Sequence, residues 1–130
     1  MADYSIVRLK DVDDVLGDYP GELRLLTADL EAEQIAFTYR RMPQFTGGKG
    51  SYGHRHKTQE EVYFVASGTL QFKLGDDIVE LGAGSAVRVP PETWRSVWND
   101  EAEDAELLIV STRIDSARDD AEYLEGFWPE

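Results

Sequence analysis

The second half of the chain is divided into short segments whose side chains alternate between apolar and polar residues. In residues 69–74, for example, Leu70, Phe72 and Leu74 alternate with polar side chains. Alternation with a period of two places the apolar side chains on one face of a β-strand. From residue 61 onward, glycine or proline turns separate such segments roughly every 8 to 12 positions, which is typical of an all-β sandwich or barrel.

The segments outside this region are interpreted from the same patterns. Residues 34–42 alternate well and predict a strand, and residues 4–9 predict a short strand. Residues 22–30 fit either a helix or a strand. Near the end of the chain, a capping-box pattern predicts a short C-terminal helix over residues 117–126.

The size and composition of the chain predict one domain. At 130 residues and 14.7 kDa, it is large enough for its own hydrophobic core. We expect a single domain over residues 1–130, with the barrel core at about 33–114. The chain has no cysteine, which excludes disulfides, thiolate metal sites and cysteine nucleophiles. Together with an N-terminus that lacks an apolar signal-peptide segment, this predicts a cytoplasmic protein.

Net charge limits the partners of the chain. It carries 26 acidic and 13 basic residues, for a formal net charge of −13. A field of this sign repels phosphate backbones and anionic lipids. The longest aliphatic run, residues 107–110, is far too short to span a bilayer. We therefore expect neither a nucleic acid nor a membrane partner.

Both histidines of the chain lie at the start of the stretch 54–68. Because side chains alternate along a strand, His54 and His56 face the same way. Glu61 follows five residues after the second histidine, and Tyr63 shares its parity. These four side chains are the first candidates to line a pocket inside the barrel.

The spacing of these residues resembles the first motif of the cupin superfamily. It reads Gly48, five residues, His54-x-His56, four residues, Glu61, six residues and Gly68. A cupin resemblance implies a jelly-roll barrel, also called a double-stranded β-helix, whose open interior holds the site.

A second stretch resembles the second cupin motif, with one departure. Gly84 is followed after five residues by Pro90, and the segment ends at Asn99. The resemblance implies a third metal-binding histidine four residues before the asparagine. This chain has Arg95 at that position, and it has Glu92 where a glycine is expected three residues earlier.

The departure leaves two alternatives for the site. Two imidazoles and a carboxylate, from His54, His56 and Glu61, suit one divalent Fe, Mn, Ni or Zn ion. The fixed charge of Arg95 would repel such an ion, however, and a guanidinium pairs bidentately with a carboxylate. The second alternative is therefore a site without metal, in which Arg95 pairs with Glu61.

The first functional hypothesis is a small-molecule-binding cupin without a metal, which recognises a small anion through Arg95 in a pocket lined by His54, His56, Glu61 and Tyr63. The resemblance also implies an alternative, a metal-dependent enzyme of dioxygenase, isomerase or epimerase type. A third hypothesis is a metal-independent isomerase or epimerase in which a histidine is the general base. Similarity to small cupins further implies a homodimer.

Overall fold

A computed structural model describes residues 3–130. The strands of this part of the chain are β1 (Glu22–Leu25), β2 (Ile35–Met42), β3 (Thr46–Gly47), β4 (Ser51–His56), β5 (Glu61–Ser67), β6 (Thr69–Leu74), β7 (Asp77–Gly82), β8 (Ala86–Val89), β9 (Arg95–Asn99), β10 (Ala105–Thr112) and β11 (Ala121–Trp128). Two four-residue helices accompany them, α1 (Thr27–Leu30) and α2 (Ala117–Asp120), together with a 3-10 turn at Leu9–Asp11.

The strands form two antiparallel sheets. The first has the order β1-β2-β10-β5-β8, and the second has the order β11-β4-β9-β6-β7, with β3 also paired to β9. Neighbours such as β2 and β10 lie far apart in sequence, because the chain passes repeatedly from one sheet to the other. This confirms the predicted all-β jelly-roll fold.

The main hydrophobic core lies between the sheets. Leu70 and Phe72 of β6 pack there with Val65 of β5 and Leu107 of β10, and all four are fully buried. Burying a side chain of this size contributes roughly 1.5–3 kcal/mol. The alternation seen in residues 69–74 arises from this packing.

A second, smaller cluster covers the outer face of the first sheet. Tyr39 of β2 packs there against Val12 and Leu26, which precede β2 in the chain. Met42, at the end of the same strand, belongs to the main core instead. Strand β2 is therefore covered on both faces, and its outer face carries aromatic residues although it lies outside the barrel.

Two segments differ from or refine the sequence predictions. Residues 4–9 do not form a strand, and the side chains of Tyr4 and Ile6 are exposed. The ambiguous residues 22–30 form strand β1 followed by helix α1. Within the described residues, no helix is long and apolar enough to cross a membrane.

The C-terminal helix is shorter than predicted. It ends at Asp120, and the next eight residues form β11, which pairs with the edge of β4. The prediction of helix over 121–126 was therefore wrong. Pairing with β4 satisfies backbone groups that would otherwise lie exposed on an edge strand, and Gly126 has a φ of 75°, outside the right-handed helical region.

Candidate functional site

The two histidines lie on β4 and face the barrel interior, as the alternation predicts. His54 is opposite Arg95 of β9 and opposite Tyr123 of β11, so β4 is held on both sides. His56 is buried, whereas 30% of the His54 side chain is exposed. The imidazole rings meet edge to face, with centroids 5.1 Å apart.

The outer face of β4 explains why the histidines are held in this orientation. Arg55, which points away from the barrel, stacks on the Trp94 ring at 4.4 Å and forms an ion pair with Glu122 of β11. Gly53 leaves room for the Phe127 ring, since a Cβ at this position would lie 2.3 Å from that ring. Strand β11 therefore fixes β4 from outside.

One carboxylate oxygen is the centre of the site. Glu61 Oε1 lies 3.6 Å from His54 Nε2 and 3.5 Å from His56 Nε2. It accepts a hydrogen bond of 2.7 Å from the Tyr63 hydroxyl and lies 3.5 Å from Arg95 Nη2. The structure thus brings together all five side chains that the sequence singled out.

The environment keeps the Glu61 carboxyl group ionised. Burial alone would raise its pKa, but interactions with His54, His56 and Tyr63 outweigh burial and hold the pKa well below its usual range. For Tyr63 the effect is opposite, because burial and the adjacent Glu61 charge raise the pKa of the phenol. Tyr63 therefore stays protonated and continues to donate its hydrogen bond.

Arg95 has no exposed surface. Its Nη1 group donates to the carbonyl oxygens of Pro91 at 3.2 Å and Thr93 at 3.0 Å, and Nη2 donates to Pro90 at 3.5 Å. Its Nε group is buried without a hydrogen-bond partner. The bidentate pair with Glu61 that the sequence analysis considered is therefore a single 3.5 Å contact. The guanidinium is held mainly by the turn before β9.

Asp120 is a member of the site that the sequence analysis missed. Its carboxylate accepts hydrogen bonds from the backbone of Thr58 and Gln59 and from the Thr58 hydroxyl. Its Oδ2 atom also lies 3.3 Å from His56 Nδ1, which has no hydrogen-bond partner. A carboxylate thus lies on each side of the His56 ring. The predicted helix gave no signal that Asp120 would reach this ring.

The donor set fits a divalent metal ion. Among the described residues, His54, His56 and Glu61 form a group whose ligand atoms all lie within 4.8 Å of one another. Metal-binding imidazoles commonly have a carboxylate behind the other ring nitrogen, as His56 has in Asp120. The Arg95 guanidinium opposes an ion here, because its charge is 3.5 Å from the same carboxylate oxygen.

Two surface depressions lie away from this cluster. One is at Thr69 and Glu101, and the other is between Phe45 and Trp98. Neither includes any of the five converging side chains, so we place the site where those side chains meet.

Comparison with known proteins agrees with this fold. Residues 44–111, more than half of the chain, match the family described as the cupin domain. The chain therefore belongs to the cupin family. No protein with a curated description matches it in sequence.

Several solved structures have a similar fold. A cupin protein from Bacteroides fragilis is 20% identical, with 91% of each chain covered and a TM-score of 0.69. Oxalate decarboxylase from Bacillus subtilis is 20% identical, with 95% of this chain and 32% of that chain covered and a TM-score of 0.77. A candidate sugar phosphate isomerase from Acidithiobacillus ferrooxidans is 20% identical, with 73% and 60% covered and a TM-score of 0.63.

These similarities show the shared fold. The present chain spans 60% of the Acidithiobacillus protein and about a third of the Bacillus enzyme. The activities of those proteins are therefore their own, and a function for this chain has to be argued from its residues.

Proposed function

We propose that the barrel pocket of this cupin binds a small organic anion. The observation that carries the proposal is the excess of donors: two imidazoles, a phenol and a guanidinium surround one carboxylate oxygen. Taking charged groups out of water is costly even when they are paired, so a buried cluster of this kind is weak evidence for a stabilising role and is typical of a functional site.

An anion that enters the pocket meets His54 first, because its side chain is partly exposed while His56, Glu61 and Arg95 are buried. The negative charge of Glu61 does not close the pocket to anions, since Arg95 and the surrounding donors offset it. The Arg95 side chain is fully buried, so Arg95 does not contact the ligand directly. In this proposal Arg95 positions Glu61.

The proposal is tested by isothermal titration calorimetry with D-glucuronate, oxalate and D-glucose 6-phosphate, and with D-glucose as a neutral control. We expect at least one anion to bind at least tenfold more tightly than glucose, and His54→Ala to weaken that binding by roughly tenfold. The control variant is Tyr4→Ala, because Tyr4 is exposed and lies near the start of the chain, far in sequence from His54. Equal affinities for the anions and glucose would contradict the proposal.

A second candidate function is that of a metal-dependent enzyme. It is favoured by the spacing of the three donors, since 3.5–3.6 Å between the imidazole nitrogens and Glu61 Oε1 leaves room for an ion between them. His54, His56 and Glu61 would hold an Fe, Mn, Ni or Zn ion, which would polarise a substrate oxygen as a Lewis acid. Tyr63 and Arg95 would orient the Glu61 carboxylate.

Elemental analysis of protein purified without an affinity tag separates the two candidates. A stoichiometric metal that is present in the wild type and lost in His56→Ala would favour the enzyme. Anion binding that persists after treatment with a chelator would favour the metal-free pocket.

A further inference from the structure

A second arginine, Arg40, faces the interior of the barrel. In strand β2 it lies opposite Leu107 of β10, which is fully buried in the main core. Directly paired residues of neighbouring strands point to the same face of a sheet. The side chain of Arg40 therefore projects between the two sheets, whereas that of Arg41 projects outward.

Arg40 differs from the other strand arginines in that its side chain has no partner among the described residues. On the outer faces, Arg41 forms ion pairs with Glu22 and Asp104, and Arg55 forms one with Glu122. Within residues 3–130, the Arg40 guanidinium makes no ion pair and no side-chain hydrogen bond, although its side chain is half-buried. A chain with twice as many acidic as basic residues could readily have supplied a carboxylate.

The surroundings of Arg40 connect it to the site. Burial lowers the pKa of Arg40, and the phenols of Tyr19, Tyr52 and Tyr63 raise it in part. Tyr63 donates to Glu61, and Tyr52 lies two residues before His54 on the same face of β4. Strand β2 belongs to the first sheet and β4 to the second, so Arg40 projects into the interior from the side opposite the histidine strand.

The Tyr52 and Tyr123 rings form an apolar rim beside His54. They meet edge to face at 5.6 Å, and the Tyr123 ring lies 6.4 Å from the His54 ring. Both tyrosines are about half exposed. A ligand between Arg40 and His54 would thus have a charged group on one side and aromatic surface beside it.

We infer that Arg40 is the residue that binds the charged group of the ligand, and that this group is an oxyanion, carboxylate or phosphate, of a small organic molecule. The inference rests on the proposed function and deepens it. A half-buried guanidinium without a carboxylate partner presents parallel N–H donors, which match the two oxygens of such a group. The Tyr63 hydroxyl already donates to Glu61 and the Tyr19 hydroxyl to Gly47, so Tyr52 is the phenol left to provide a further donor, and none of the three brings a competing negative charge.

The test compares the affinities of the wild type, Arg40→Met, Arg40→Lys and Arg41→Met for oxalate, D-glucuronate and D-glucose 6-phosphate by calorimetry. Methionine preserves much of the apolar volume of the arginine stem, and lysine preserves the charge but loses the paired N–H donors. Arg41→Met is the matched control, because Arg41 is the adjacent residue on the outer face.

We expect Arg40→Met to weaken binding of the preferred anion by about 10- to 100-fold, Arg40→Lys to weaken it by at least threefold, and Arg41→Met to leave it unchanged. Tightest binding of oxalate or D-glucuronate would identify the oxyanion as a carboxylate. Tightest binding of D-glucose 6-phosphate would identify it as a phosphate. Thermal unfolding checks that each variant is folded. If Arg40→Met does not fold, Arg40→Lys decides.

Binding by the Arg40 variants that equals binding by the wild type would overturn this inference and leave the proposed function standing. If the wild type binds none of the three anions, the proposed function is overturned, and the inference with it.

Discussion

Arg95 Nη2 lies 3.5 Å from Glu61 Oε1, deep inside the barrel. The same guanidinium donates to the carbonyl oxygens of Pro91 and Thr93, which fix its position. At this position the cupin resemblance implies an imidazole that would help to bind a metal ion. A permanent positive charge built into the chain therefore lies where the charge of an ion would otherwise act.

Replacing Arg95 by histidine should create a stronger metal site. In the R95H variant, the new imidazole would belong to the residue paired with His54 across β4 and β9. The repulsion between the guanidinium and a metal ion would be lost. We expect Zn²⁺ or Mn²⁺ to bind at least about tenfold more tightly than to the wild type. The measurement is calorimetric titration of both proteins after removal of metal with a chelator.

Arg55→His is the matched control for this experiment. It also adds an imidazole, but on the outer face of β4, where Arg55 stacks on Trp94. Its metal affinity should equal that of the wild type. Equal affinities of R95H and the wild type would show that Arg95 does not control metal binding.

Asp120→Asn should destabilise the fold. The Asp120 carboxylate accepts hydrogen bonds from Thr58 and Gln59 and lies beside the ring of His56, and it is buried. An amide replaces one acceptor oxygen with a donor that faces backbone N–H groups. We expect the free energy of unfolding to fall by roughly 1–3 kcal/mol, measured by urea denaturation.

The neighbouring Asp119→Asn provides the comparison, because Asp119 is exposed. It should change the free energy of unfolding by less than about 0.5 kcal/mol. A similar loss in both variants would mean that the buried contacts of Asp120 contribute nothing specific.

Glu106 should make stability depend on pH in the acid range. Its carboxylate accepts hydrogen bonds from the Tyr39 hydroxyl at 2.6 Å and the Ser67 hydroxyl at 2.8 Å, and these hold its pKa below the ordinary value. A carboxyl group whose pKa is lower in the folded state stabilises the fold above its unfolded pKa. This contribution is lost as the pH falls through the folded value.

Between about pH 6 and pH 3.5, the wild type should therefore lose more stability than Glu106→Gln, whose side chain does not titrate. Urea denaturation at a series of pH values measures the difference. Glu103→Gln, at an exposed position, should follow the wild-type profile. Parallel profiles for the wild type and Glu106→Gln would contradict the assignment.

Strand alternation predicted an all-β sandwich or barrel, and the resemblance to the cupin motifs predicted the jelly roll and the candidate site residues. Strand alternation placed His54 and His56 on one face, and the motif spacing selected Glu61 and Arg95. The structure brings these side chains together with Tyr63, as expected from their positions. Their role in binding a ligand stays a prediction.

Contacts between distant segments could not be predicted in this way. Asp120 reaches the site because β11 pairs with β4, more than 60 residues away along the chain, and that pairing overrides a local helix pattern. The sequence pattern also did not predict that the Arg40 side chain points into the barrel. Its strand has a more apolar face, with Tyr39, but that face is covered from outside by Val12 and Leu26. Parity alone does not show which face of a strand covered on both sides lines a pocket.

We propose that the chain's own donors bind a small organic anion without a metal ion. The most direct test is calorimetric titration of D-glucuronate and oxalate into wild-type protein that elemental analysis shows to be free of metal. We predict that at least one of these anions binds to the metal-free protein, with D-glucose binding at least about tenfold more weakly. Binding that is absent from the metal-free protein and appears only when Mn²⁺, Fe²⁺, Ni²⁺ or Zn²⁺ is added would contradict the claim.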